Sequence, residues 1–284
     1  MAEAAAPYSA EIIAAMDKFI SESVDHCLAS MTPEHMAAGE RKMAEMQADP
    51  SVMQAAMATV TEDFNASDAN QDGILTRDEY LVFVNKMNDR KKASGDWTDE
   101  REGVTEQIYD TVANKINTER EGISKEEWDA MVAVWFGKWM PLFETKKAIK
   151  AQLEATAVSS YEAWKANATE EQKAVGLEAN RKMQEDEEFK NNMMAECVAK
   201  FAECDVDNDG LLNRDEYISW VGVMNEINRA KGNWIDERPE IITAYYEACN
   251  MITPGADGVT LADVFKGVGI ALAKTNVLKA ADGL

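Results

Sequence analysis

Histidine is nearly missing from this chain: His26 and His35 are the only two in 284 residues. That scarcity excludes a zinc site built on imidazoles and a histidine-based catalytic triad. Cysteine is almost as sparse. Cys27, Cys197, Cys204 and Cys249 form neither a CxxC pair nor a disulfide-framework spacing, so they read as reduced, mostly buried thiols suited to an intracellular, cytoplasmic protein. Positive charge is short as well, with 29 Lys and Arg against 52 Asp and Glu and a formal net charge of -23. This balance argues against nucleic acid or an anionic membrane as a partner and makes cations the natural guests. No run approaches the ~20 apolar residues of a membrane span. The N-terminal stretch "MAEAAAPYSAEIIAAMDKF" has acids where a signal peptide needs a basic segment. The sequence carries no nucleophile and base pair, no phosphate loop and no catalytic metal pattern, so no enzyme is expected.

Long β-branched runs are also lacking, which leaves no strand of ordinary length. Ala, Met, Glu and Lys dominate, and "MTPEHMAAGERKMAEMQ", "SVMQAAMATVTEDF", "DEYLVFVNKMNDRKK", "REGVTEQIYDTVANKI" and "SKEEWDAMVAVWFGKW" all have helical periodicity. Thr32 before Pro33 and Glu34 marks one helix start, and Asp49 before Pro50 another. The fold class is all-α.

What the chain has in abundance is itself. Asp205 lies 205 − 68 = 137 positions after Asp68, and that one offset superimposes Gly39 on Gly176, Phe64 on Phe201, Gly73 on Gly210 and Trp97 on Trp234 without a gap. The sequence is a tandem duplication. Pro141, in "WMPLFETKK", is expected to interrupt a helix at the boundary, giving two lobes, 1–140 and 141–284, each of ordinary domain size.

Each half contains one unusual segment, "DANQDGILTRDE" over 68–79 and "DVDNDGLLNRDE" over 205–216. Oxygen-bearing side chains stand at alternate positions, then a glycine, then an apolar pair, then a glutamate. A helix or strand has no use for that order, but a calcium ion does. It takes several oxygens from positions 1, 3 and 5, a backbone carbonyl from 7, a ligand at 9 and a bidentate carboxylate at 12. In the first loop these positions are Asp68, Asn70, Asp72, Ile74, Thr76 and Glu79; in the second they are Asp205, Asp207, Asp209, Leu211, Asn213 and Glu216. Gly73 and Gly210 fall where the chain must turn sharply. Leu75 and Leu212 are expected to point away from the ion into the lobe.

These segments, with Phe64 and Phe201 four residues before each loop and Tyr80, Phe83, Tyr217 and Trp220 after them, resemble EF-hands of the calmodulin and sarcoplasmic calcium-binding superfamily. The resemblance implies paired hands in each lobe. The partner segments, 117–127 and 253–263, are one residue short, with Gly122 and Gly258 directly before Ile123 and Val259. Both are expected to be structural, with Ile123 and Val259 bridging to Leu75 and Leu212. Ser124 and Glu127 also form a capping-box pattern.

Met36, Met43, Met46, Met53 and Met57 recur at spacings of three, four and seven and read first as lobe core, second as an adaptable surface for an apolar helix of a protein target. Trp97, Trp128, Trp135 and Trp139 read as core, and Lys86, Arg90, Lys91 and Lys92 as a solvated helix end or cap. The expected function is binding of two calcium ions, with magnesium as competitor, by an intracellular sensor or regulatory protein. A sarcoplasmic-type buffer and a calcium-stapled subunit of a cytoskeletal assembly are the alternatives.

Overall fold

The computed structural model describes residues 8–253 and 255–284. Among these the chain is all-α, with eleven α-helices and two strands of two residues each. It divides into two compact units, Met1–Thr145 and Lys146–Leu284.

In the first unit α1 (Ala10–Ser30) starts at the Ser9 cap, and its buried stripe of Ile12, Met16, Ile20, Val24 and Cys27 follows the three-to-four spacing of one helix face. Next come α2 (Pro33–Ala48) and α3 (Pro50–Ser67), capped by Thr32 and Asp49 as the sequence predicts. A loop leads into β1 (Ile74–Leu75) and α4 (Arg77–Ala93), then α5 (Val104–Thr111), β2 (Ile123–Ser124) and the start of α6 (Lys125–Asn167). Phe64 and Phe83 meet edge to face at 5.5 Å, and Trp128 adds an edge contact on Phe83 at 5.0 Å. Met16 and Ile20 of α1 belong to this same cluster, together with Leu75 and Ile123. The helix that precedes the loop-bearing segments therefore fills their core.

The second unit repeats the plan. Its first helical segment is the later part of α6, whose Ile149 and Leu153 enter the core as Ile12 and Met16 do in the first half. Then follow α7 (Glu170–Glu185), α8 (Glu187–Cys204), α9 (Arg214–Ala230), α10 (Pro239–Asn250) and α11 (Leu261–Ala281).

Three expectations change. Pro141 lies inside α6 rather than at a break. Proline removes one N–H and crowds the carbonyl four residues earlier. That residue is Gly137, to which the helix loses a hydrogen bond, yet α6 runs on past it.

The methionines are not core. Met36, Met43, Met53 and Met57 are between 40% and 59% exposed, because α1 and the aromatic residues already fill the interior. The basic run ends α4 as expected, with Arg90, Lys91 and Lys92 exposed in its last turn, but it does more than face solvent. Lys86 Nζ donates to the Ala66 carbonyl and to Ser67 Oγ, both at 3.1 Å, and Arg90 pairs with Asp63 at 2.6 Å, tying α4 to the end of α3.

Candidate metal centre

Both loops are built by backbone N–H groups turning inward onto side-chain oxygens. In the first, Asp68 ends α3 and is buried. Its Oδ2 accepts from Gly73 N at 2.8 Å, Asn70 Oδ1 accepts from Asp72 N at 3.0 Å, and Asp72 Oδ1 accepts from Ile74 N at 2.8 Å. Glu79 closes the circle. Its Oε1 accepts from Ala69 N and its Oε2 from Thr76 N, both at 2.9 Å. The Thr76 N–H and then its hydroxyl are the leading causes that hold the Glu79 carboxyl below its ordinary range.

The second loop repeats this wiring. Gly210 N donates to Asp205 Oδ2 at 3.0 Å, Leu211 N to Asp209 Oδ1 at 2.8 Å, Val206 N to Glu216 Oε1 at 2.9 Å and Asn213 N to Glu216 Oε2 at 3.0 Å. Asn213 caps α9 by accepting from Asp215 N and Glu216 N. Two left-handed residues curl each loop: Gln71 (φ 60°) and Gly73 (φ 79°), then Asn208 (φ 58°) and Gly210 (φ 84°). Glycine takes that state freely, and asparagine better than most.

All the expected donors in each half therefore lie within one twelve-residue turn. Oxygens of Asp205, Asp207 and Asp209 come within 4.8 Å of one another, a spacing at which like charges repel by about 1 kcal/mol per pair even in water. Asp205 Oδ1 is buried and has no hydrogen-bond partner. Crowded carboxylates and an orphaned oxygen fit a hard divalent cation, which takes oxygen ligands. In the first loop the corresponding crowding is relieved, since Asn70 Nδ2 donates to Asp72 Oδ2 at 2.9 Å.

Behind each loop the chain pairs with its partner segment. Leu75 pairs with Ile123 in a two-stranded antiparallel ladder, and Leu212 with Val259 through two N–H to O bonds of 2.9 Å. All four side chains are fully buried.

The partner segment 117–127 holds a group that the motif did not bring out. Arg120 reaches into its own loop, donating to Glu127 Oε2 at 2.6 Å and to the Gly122 carbonyl at 3.0 Å, while Asn117 Nδ2 donates to Glu127 Oε1 at 3.0 Å. A guanidinium thus supplies the positive charge at the terminal carboxylate. The signal was in the sequence, since Arg120 is the one base in "NTEREGISKEE" ahead of its glycine. Burial pushes the Glu127 carboxyl up, but the Ser124 N–H, Asn117 and Arg120 together outweigh it and hold it below its ordinary range.

A lowered carboxyl pKa contributes stability above the unfolded value, near 4.3, and loses it as pH falls through the folded value. Arg120→Met is therefore expected to destabilise the chain by about 1 to 2 kcal/mol at neutral pH. Thermal melts in chelator should show that difference shrinking below about pH 4; an equal difference at both pH values would sink the assignment.

In segment 253–263, whose Pro254 lies outside the described residues, the terminal acid is satisfied without a base. Thr253 Oγ1 donates to Asp263 Oδ1 at 2.8 Å, and Thr260 N and Oγ1 donate to Oδ2 at 3.0 and 2.6 Å. No family model matches the chain, and comparison with curated proteins and with solved structures found no similar one.

Proposed function

We propose that this protein binds calcium reversibly through the loops 68–79 and 205–216, one ion in each. The observation that carries the reading is the donor arrangement of the second loop: three aspartates within 4.8 Å, one buried oxygen of Asp205 without a partner, and Glu216 bridging both ends. Asp68, Asn70, Asp72, Thr76 and Glu79, with the Ile74 carbonyl, serve the first ion. Asp205, Asp207, Asp209, Asn213 and Glu216, with the Leu211 carbonyl, serve the second. Calcium supplies the positive charge that the clustered carboxylates otherwise lack.

The second loop offers four carboxylates and the first offers three, and ligand charge helps set affinity, so the second is the tighter site. An ion present at a thousand times its dissociation constant stabilises the lobe that holds it by about 4 kcal/mol.

One structural feature favours the buffer form of this function over a groove-opening sensor. Sensors open a helix pair to expose an apolar groove, whereas Met16 and Ile20 of α1 already pack against Phe64, Phe83 and Trp128. Lys86 and Arg90 further tether α4 to α3. The exposed methionines of α2 and α3 are the feature that favours a regulatory protein docking an apolar helix. No described helix is long and apolar enough to cross a membrane, and the free thiols suit a cytoplasmic setting.

Calorimetric titration of the full chain is expected to give two calcium ions, with the weaker one lost in Asp68→Ala and the tighter one in Asp205→Ala. A stoichiometry of zero or four would overturn the reading, and a reversed order would overturn the ranking of the loops.

A further inference from the structure

The two halves depart from each other along their last helices. Aligned on the glycines of the partner segments, 258 − 122 = 136, Val264, Ala271, Thr275 and Lys279 of α11 stand where α6 carries Trp128, Trp135, Trp139 and Phe143. In the first unit that aromatic set is packed. Trp128 lies edge-on to Phe83, Trp135 packs against the main core, and Trp139 stacks on Phe143 at 4.8 Å beside Val24 and Cys27.

In the second unit the smaller side chains line a cavity of about 410 Å³, within the size range of small-molecule sites. Two rings return part of the lost volume, since Tyr161 and Trp164 replace Val24 and Cys27 at the 137 offset. They stack on each other at 5.5 Å and line the cavity. Trp220, Trp234 and Tyr245 also line it, so the walls are largely aromatic.

One charged group on these walls lacks an ion-pair partner. Lys279 lies over the Trp164 ring at 5.8 Å, and among the described residues no carboxylate pairs with it. Burial lowers its pKa. The acid on the cavity wall, Asp236, is already engaged by Arg238 through bonds of 2.8 and 2.7 Å. A chain with 23 excess negative charges thus keeps one uncommitted ammonium at a ring-lined cavity.

We propose that this cavity binds a small organic anion with a flat apolar body, an aromatic carboxylate or sulfonate. The body stacks between the rings and the acidic head faces Lys279. The site shares no residue with the loops that hold calcium and stands or falls independently of them.

Fluorescence titration of the full chain with anilinonaphthalene sulfonate and with its uncharged relative phenylnaphthylamine, in chelator and again in calcium, tests the proposal. One saturable site is expected for each probe, tighter for the sulfonate. Lys279→Met should weaken the sulfonate about tenfold, the size of one partly buried charge pair, and leave the neutral probe unchanged. Ala271→Trp, which restores the residue of the first half, should abolish both while the melting transition persists. Absence of saturable uptake, or uptake that survives Ala271→Trp, overturns the cavity as the site. If Ala271→Trp does not fold, Lys279→Met decides: selective loss of the sulfonate supports the proposal, and equal effects on both probes overturn it.

Discussion

Glu216→Gln is expected to lower calcium affinity at the second loop by roughly 30- to 1000-fold, about 2 to 4 kcal/mol, and to leave the first loop unchanged. The carboxylate does two things at once. It accepts from Val206 N at one end of the loop and from Asn213 N at the other, and it presents the bidentate charge that the twelfth position needs. Glutamine keeps the length but loses the charge, and it turns one of the two acceptors into a donor facing an N–H. The change is therefore larger than the loss of Asn213, whose contribution at the ninth position is often made through water. Calorimetry of the variant should find one site of unchanged constant and one displaced to weak binding. Two unchanged constants would show that Glu216 only closes the turn.

The helices were legible because their signals are local. Thr32 and Asp49 precede prolines, which favour the first turn of a helix, and both cap the helices expected of them. The loops were legible for a similar reason: alternating oxygens and a glycine make a covalent-range pattern, and their partners, Ala69, Thr76 and Gly73, lie within the same dozen residues. The bridges from Leu75 and Leu212 followed from the resemblance, which implies paired hands in each half.

Long-range packing was not legible. Whether the methionines of α2 and α3 face the core depends on what else fills it, and α1 and the tryptophans took that space. Lys86 and Arg90 look like a solvated helix end until α3 is brought alongside to offer Ala66, Ser67 and Asp63. Pro141 breaks a helix on average, yet here α6 runs through it. Arg120 is the instructive case. Read as a motif, its segment is a calcium loop with a residue missing; read as chemistry, it is a carboxylate that has found a cation within its own chain.

Gly122→Ala is expected to destabilise the first unit by about 2 to 4 kcal/mol, the sum of a left-handed backbone penalty and a steric one. The residue has φ 90°, and a Cβ there would lie 2.6 Å from Ile74 Cγ2 and 2.7 Å from the Leu75 carbonyl oxygen. Neither neighbour is free to yield. Leu75 is fully buried and paired with Ile123, and Ile74 is its neighbour in the same ladder. Gly122 is itself held by Asn114, which accepts its N–H at 2.7 Å, and by Arg120, which donates to its carbonyl.

Gly73→Ala provides the internal control. Its φ of 79° carries the same backbone penalty, but nothing lies within 4 Å of the added carbon, so about 1 kcal/mol is expected. In calorimetric melts of the full chain in chelator, Gly122→Ala should lower the first unit's transition by roughly 5 to 15 °C and Gly73→Ala by a few degrees. Because β1 carries the Ile74 carbonyl, the Gly122 variant should also weaken ion uptake by the first loop, through a segment outside the proposed site. Equal losses from the two substitutions would mean that the ladder shifts to admit the methyl, and that the two loops of the lobe are less tightly coupled than their pairing implies.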